Sequence, residues 1–72
     1  MTKEEFLTEM QDVLQTEEVL SFETVLADLE EWDSLSVMAT MAFLEKSFGV
    51  KTAMKDYKDM KTIADIAQKA GL

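Results

Sequence analysis

The sequence contains no cysteine, no histidine, no arginine and no proline, and only two glycines in 72 residues. Without cysteine there is no disulfide and no thiol nucleophile, and without histidine the commonest general base and metal ligand are missing. A Ser-His-Asp triad is impossible, and a metal ion would find only oxygen ligands. The formal charge of −8 and a pI near 4.3 oppose association with nucleic acid or with an anionic membrane surface. The absence of arginine argues further against phosphate-backbone recognition. No apolar run approaches the ~18 residues that suggest a membrane span. The first residues, Met1 to Glu5, lack the basic and apolar regions of a secretory leader. A cytoplasmic location is therefore expected.

What remains is one small domain over residues 1–72, with 47% hydrophobic residues to supply a core. A chain this short buries only about 60% of its unfolded surface, so its margin of stability is thin. Charge is unevenly placed. Residues 1–33 hold eleven acids against Lys3, a net of −10, and residues 34–72 hold four acids against six lysines, a net of +2. An acidic half raises the encounter rate with a basic partner. It equally serves as a solvated face that keeps the chain soluble, and both readings stand.

With Gly49 and Gly71 as the sole breakers, element boundaries come from caps and periodicity. Thr2 followed by Glu5 is a capping box, and Phe6, Met10, Val13 and Leu14 continue at helical spacing to about Gln15. Residues 16–32 show no sustained period but carry apolar pins at Val19, Leu20, Phe22, Val25, Leu26 and Leu29. They read as a long ordered loop, of a length that is often functional. Asp33 and Ser34 are both N-cap types opening a second helix to Phe48, which Gly49 stops. One or two helical turns are expected around Met54, Tyr57 and Met60. Thr62 and Asp65 then open a last helix with Ile63, Ile66, Ala67 and Ala70 on one face, closed by Gly71. The spacing predicts an all-α, four-helix bundle of three main helices plus one short helix, with a long first loop.

The central helix carries more than one apolar stripe. Val37, Met41, Leu44 and Phe48 fall within a roughly 60° arc that suits a core. Leu35, Met38, Ala39 and Ala42 form a second stripe, and Ser36, Thr40 and Ser47 read as the polar face. Either the helix is central and buried on two sides, or the second stripe is exposed and marks an interaction site. Ser34 stands at the head of that stripe. It is an N-cap candidate, and it has no neighbouring base to activate it. It is thus a poor catalyst but a good acceptor of a group delivered by another enzyme. A phosphodiester there would sit at a helix N-terminus, where backbone N–H groups and the dipole favour anions.

The run Leu29-Glu30-Glu31-Trp32-Asp33-Ser34-Leu35, followed by Phe43-Leu44-Glu45-Lys46-Ser47-Phe48-Gly49-Val50, resembles the acyl carrier protein family over essentially the whole chain. The resemblance implies that Ser34, in an Asp33-Ser34-Leu35 motif, carries 4′-phosphopantetheine. The arm would come from coenzyme A through a Mg²⁺-dependent phosphopantetheinyl transferase. It implies a non-enzymatic, monomeric carrier that presents acyl groups as thioesters to acyl-transferring, ligase or synthase enzymes. By the same resemblance the central helix is the recognition element, through Leu35, Met38, Ala39 and Ala42, with Glu30 and Glu31 beside it.

The chain departs from the family's fatty-acid carriers, which usually place acids two and five positions after the serine and late in the helix. Ser36, Ala39 and the pair Glu45-Lys46 stand there instead, and Trp32 stands where a small residue is usual. The departures suggest a specialised fatty-acid or polyketide-type carrier, with an aminoacyl or peptidyl carrier as the alternative within the class. An unmodified helical adaptor is the rival outside it. Trp32 reads as a packing anchor or as a partner hot spot. The internal methionines read as gap-fillers or as a deformable interior for an acyl chain. Asp28, Glu30, Glu31 and Asp33 lack the spacing of a calcium loop, so no metal site is assigned.

Overall fold

The structure, a computed structural model, describes residues 1–72. Three α-helices form, α1 over Lys3–Leu14, α2 over Ser34–Phe48 and α3 over Ile63–Ala70, with no β-strand. Each starts and stops where local chemistry dictates. Thr2 and Glu5 close a reciprocal capping box at the head of α1. Gly49 and Gly71 end α2 and α3 in the left-handed conformation at φ of 67° and 92°. Glycine adopts that conformation without the Cβ clash other residues meet. Gln15 ends α1 the same way at φ 54° without being glycine. The short helix expected around Met54 is a single 3₁₀ turn over Met54–Tyr57 rather than an α-helix. Another 3₁₀ turn, Leu26–Asp28, lies inside the first loop.

The core joins Phe6, Met10 and Leu14 of α1, Leu44 of α2 and Ile63, Ile66, Ala67 and Ala70 of α3 with Leu20, Leu26 and Leu29 of the loop. Phe6 is its centre. Its ring lies 5.9–6.3 Å from those of Phe22, Phe43 and Phe48, within the range of favourable aromatic pairs. The first loop is ordered because it is pinned twice. Its leucines enter the core, and its backbone bonds to the approach of α3. Leu26 donates to the Lys61 carbonyl at 2.8 Å, while Ile63 and Ala64 donate to the Thr24 and Phe22 carbonyls at 3.1 and 2.9 Å.

Several expectations require correction. Val19 and Val25 are exposed, so they do not pin the loop. Met41 and Phe48 are only half-buried, and the buried face of α2 is instead Ser36, Val37, Thr40 and Leu44. Ser36 and Thr40 are therefore not on a polar face. Their hydroxyls are satisfied by the backbone of their own segment, with Thr40 donating to the Ser36 carbonyl at 2.8 Å, so burial leaves nothing unpaired. The methionines divide, with Met10 filling the core and Met60 packed against it as gap-fillers. Met10 alone is fully buried, while Met38 and Met54 are exposed.

Candidate functional site

Asp33 is the N-cap of α2 and Ser34 its first helical residue. The Asp33 carboxylate accepts from the Ser36 amide at 3.0 Å. In return the Ser36 hydroxyl accepts from the Asp33 amide at 2.7 Å and donates to the Asp33 carbonyl at 2.9 Å. This reciprocal cap fixes where the helix starts and therefore where Ser34 points. Ser34 itself is exposed, and its hydroxyl bonds to nothing in the chain. The amides of Ser34 and Leu35 likewise find no acceptor within the protein, as the first N–H groups of a helix do not. An anion esterified to the Ser34 oxygen would sit in solvent beside two free donors and the positive end of the helix dipole. The residues present thus fit a phosphodiester-linked group.

Down the outer face of α2 from Ser34 run Leu35, 76% exposed, and Met38, 57% exposed, with Ala39 and Ala42 also open to solvent. The second stripe is a surface rather than a second core face. Glu30 is exposed, and Glu31 is half-buried. Trp32 is half-buried as well, with its ring 6.3 Å from that of Tyr57. It packs against the core while keeping one edge on an open cleft of about 520 Å³ with Tyr57 and Met60. The Tyr57 hydroxyl shares a 2.8 Å hydrogen bond with Thr52. Burial nonetheless raises its proton affinity above the ordinary phenol value.

Sequence reasoning missed the end of α1. Val13, Leu14 and Gln15 wall an open cleft of about 320 Å³ whose other side is Glu31, Asp33, Leu35, Ser36 and Ala39. Tertiary packing alone brings these residues together, and no local pattern announces it. Within this region Glu31 Oε1 is sealed from water and accepts no hydrogen bond, a state that costs about 1–3 kcal/mol for a typical acceptor. An adjoining open cleft is lined by Glu17, Glu18, Asp28, Glu30 and Glu31, which gathers five carboxylates there. No set of these acids comes together in a way that could hold a metal ion. The chain offers Ser34 no imidazole or thiolate to remove its proton. The arrangement is suited to accepting a group and displaying it, with activation supplied by another protein.

Residues 4–69 match the family described as the phosphopantetheine attachment site. No curated protein and no solved structure gives a significant match. The chain belongs to this family of acyl-carrier-type domains, which carry 4′-phosphopantetheine covalently. Such domains are substrates of a phosphopantetheinyl transferase, work with synthase and ligase enzymes, and are in general not catalysts themselves.

Proposed function

We propose, from membership of the phosphopantetheine-carrying family as the premise, that Ser34 is the residue modified and that the whole chain is a single acyl carrier domain. The observation that carries the reading is the free, exposed Ser34 hydroxyl at the capped start of a helix whose adjoining face is apolar and open. In the modification, Ser34 Oγ forms a bond to the phosphorus of the pantetheine phosphate of coenzyme A. The pyrophosphate bond breaks, and the adenosine bisphosphate leaves with the electron pair. The serine proton passes to a base of the transferase. The arm supplies a thiol on which an acyl group is held as a thioester.

The chain's own residues position that arm. Asp33 and Ser36 fix the start of α2, and the free amides of Ser34 and Leu35 would be the donors available to a phosphodiester on Ser34. Leu35, Met38, Ala39 and Ala42 offer an apolar docking face to the enzymes that load or consume the cargo, with Glu30 and Glu31 on its flank. The scarcity of acids on α2 sets it apart from an electrostatically read helix and favours a dedicated fatty-acid or polyketide-type pathway with its own partners. The test is intact-protein mass spectrometry after incubation with coenzyme A, Mg²⁺ and a broad-specificity phosphopantetheinyl transferase. One added arm in the wild type and none in Ser34→Ala is expected. An unmodified wild type, or a modified Ser34→Ala, contradicts the reading.

A further inference from the structure

Three open clefts each take a lining residue from the segment just before α2, and they differ in charge. Glu31 and Asp33 line the one between α1 and α2, and five carboxylates line the one beside it. The third, of about 520 Å³, lies between the first loop and the Met54–Tyr57 turn, and no acid is among its lining residues. Leu26 and Tyr57, both buried, form its floor, with Trp32 and Met60 half-buried beside them. Its charged members are the exposed Lys58 and Lys61, in a chain whose net charge is −8. Neighbouring acids are engaged or placed elsewhere. Asp28 lines the five-carboxylate cleft, Asp56 and Asp65 accept backbone N–H bonds, and Asp59 is exposed outside the lining. The cleft is also preformed, since Leu26 donates to the Lys61 carbonyl at 2.8 Å and the Trp32 and Tyr57 rings lie 6.3 Å apart.

An acyl chain that ends in a carboxylate matches this cleft. Its methylenes cover the aromatic and methionine surface. The flexible stems of the two lysines carry their ammonium groups to the terminal carboxylate. So open a surface holds a free ligand weakly, but a cargo on the arm is tethered. Trp32 stands two residues before Ser34, at most ~7 Å of chain, and a short tether gives an effective concentration on the order of mM. We propose that this cleft holds a carboxylate-ended acyl cargo, a dicarboxylic monothioester on the carrier's own arm, and that Lys58 and Lys61 select it over a methyl-ended chain. The two acid-lined clefts repel the same cargo. The inference rests on Ser34 carrying the arm, because the tether is what raises the cargo's concentration at the cleft.

The probes are adipoyl-coenzyme A and hexanoyl-coenzyme A, whose acyl chains share a length and differ in the terminal group. A broad-specificity phosphopantetheinyl transferase loads each onto the isotopically labelled full chain, with loading verified by mass and the product followed by NMR. Trp32 is the only tryptophan, so its indole N–H is a single signal in the cleft. The adipoyl form is expected to shift that signal, and the amides of residues 57–61, about threefold more than the hexanoyl form, the modest factor an exposed ion pair supplies. Lys58→Gln combined with Lys61→Gln is expected to equalise the two cargoes, and added salt to narrow their difference. Both lysines are exposed, so the double variant is expected to keep the wild-type unfolding midpoint. A wild type that gains no arm at Ser34 sinks the reading beneath the proposal. A loaded wild type in which the two cargoes shift the cleft equally, or a double variant that still discriminates, overturns the proposal alone. An adipoyl form with no shift in the cleft also overturns it and leaves the lysines to an acidic partner protein.

Discussion

Asp33 and Ser34 are neighbours with opposite duties, one spent on the backbone and one left free. Because Asp33 caps α2, Asp33→Ala is expected to cost about 1 kcal/mol in urea or thermal unfolding. Ser34 touches no side chain by hydrogen bond, so Ser34→Ala is expected to shift stability by no more than about 0.5 kcal/mol. A large loss in Ser34→Ala would show that the hydroxyl is structural. Two other carboxylates tie stability to acid. Glu5 accepts from the Thr2 backbone amide, and Asp65 accepts from the amides of Lys61 and Thr62. These bonds hold both below their ordinary carboxyl values. A depressed folded-state value means stability that is present above the unfolded value, near pH 4, and is lost as pH falls through the folded one. Urea midpoints measured from neutral pH downward should fall over that window, and Glu5→Gln should flatten the fall. Glu5 is exposed and Asp65 half-buried, so the effect should also shrink in salt, more for Glu5 than for Asp65. The Thr2–Glu5 pair could be read directly from sequence, because a capping box is a local pattern. The buried, unpartnered oxygen of Glu31 could not, since the covering of a single side-chain atom is set by tertiary packing.

Helix α2 shows where a periodicity argument succeeds and where it fails. Its limits were legible in Asp33 and Gly49, because caps are local chemistry. The assignment of its faces was not, because Ser36 and Thr40 look polar in a wheel yet consume their hydroxyls within their own turn and go inward. The second stripe read either as a second buried face or as apolar surface in excess of what one small core can bury, and only packing decided for the surface. Met38→Glu is therefore expected to leave the unfolding midpoint within about 0.5 kcal/mol of the wild type, while lowering kcat/KM with partner enzymes. Equal losses of stability and turnover would place Met38 in the core. At the other end, a Cβ at Gly49 meets no neighbour, but φ is +67°. Gly49→Ala is thus expected to cost about 1 kcal/mol from backbone conformation alone, with helicity retained.

At the scale of the molecule, 72 residues fold to a Cα radius of gyration of 10.8 Å, close to the ~11 Å typical of a folded domain of that length. No helix is long and apolar enough to cross a membrane. The all-helical class was legible from three amphipathic runs. The bonding of the first loop to the approach of α3 was not, because it joins Phe22 and Thr24 to residues some forty positions later through backbone groups that carry no residue-specific signal. Phe6, fully buried among three rings, holds α1, that loop and α2 together. Phe6→Ala is expected to cost about 3–5 kcal/mol, a large share of the total stability of so small a domain, and circular dichroism should show a much lower melting midpoint. The proposed function depends on a stable scaffold displaying one passive hydroxyl, that of Ser34. Peptide-level tandem mass spectrometry of the transferase-treated protein tests that most directly. The account predicts a single phosphopantetheine on the peptide containing Ser34, localised to that residue. An arm on another residue, or none under conditions that load a control carrier, would contradict it.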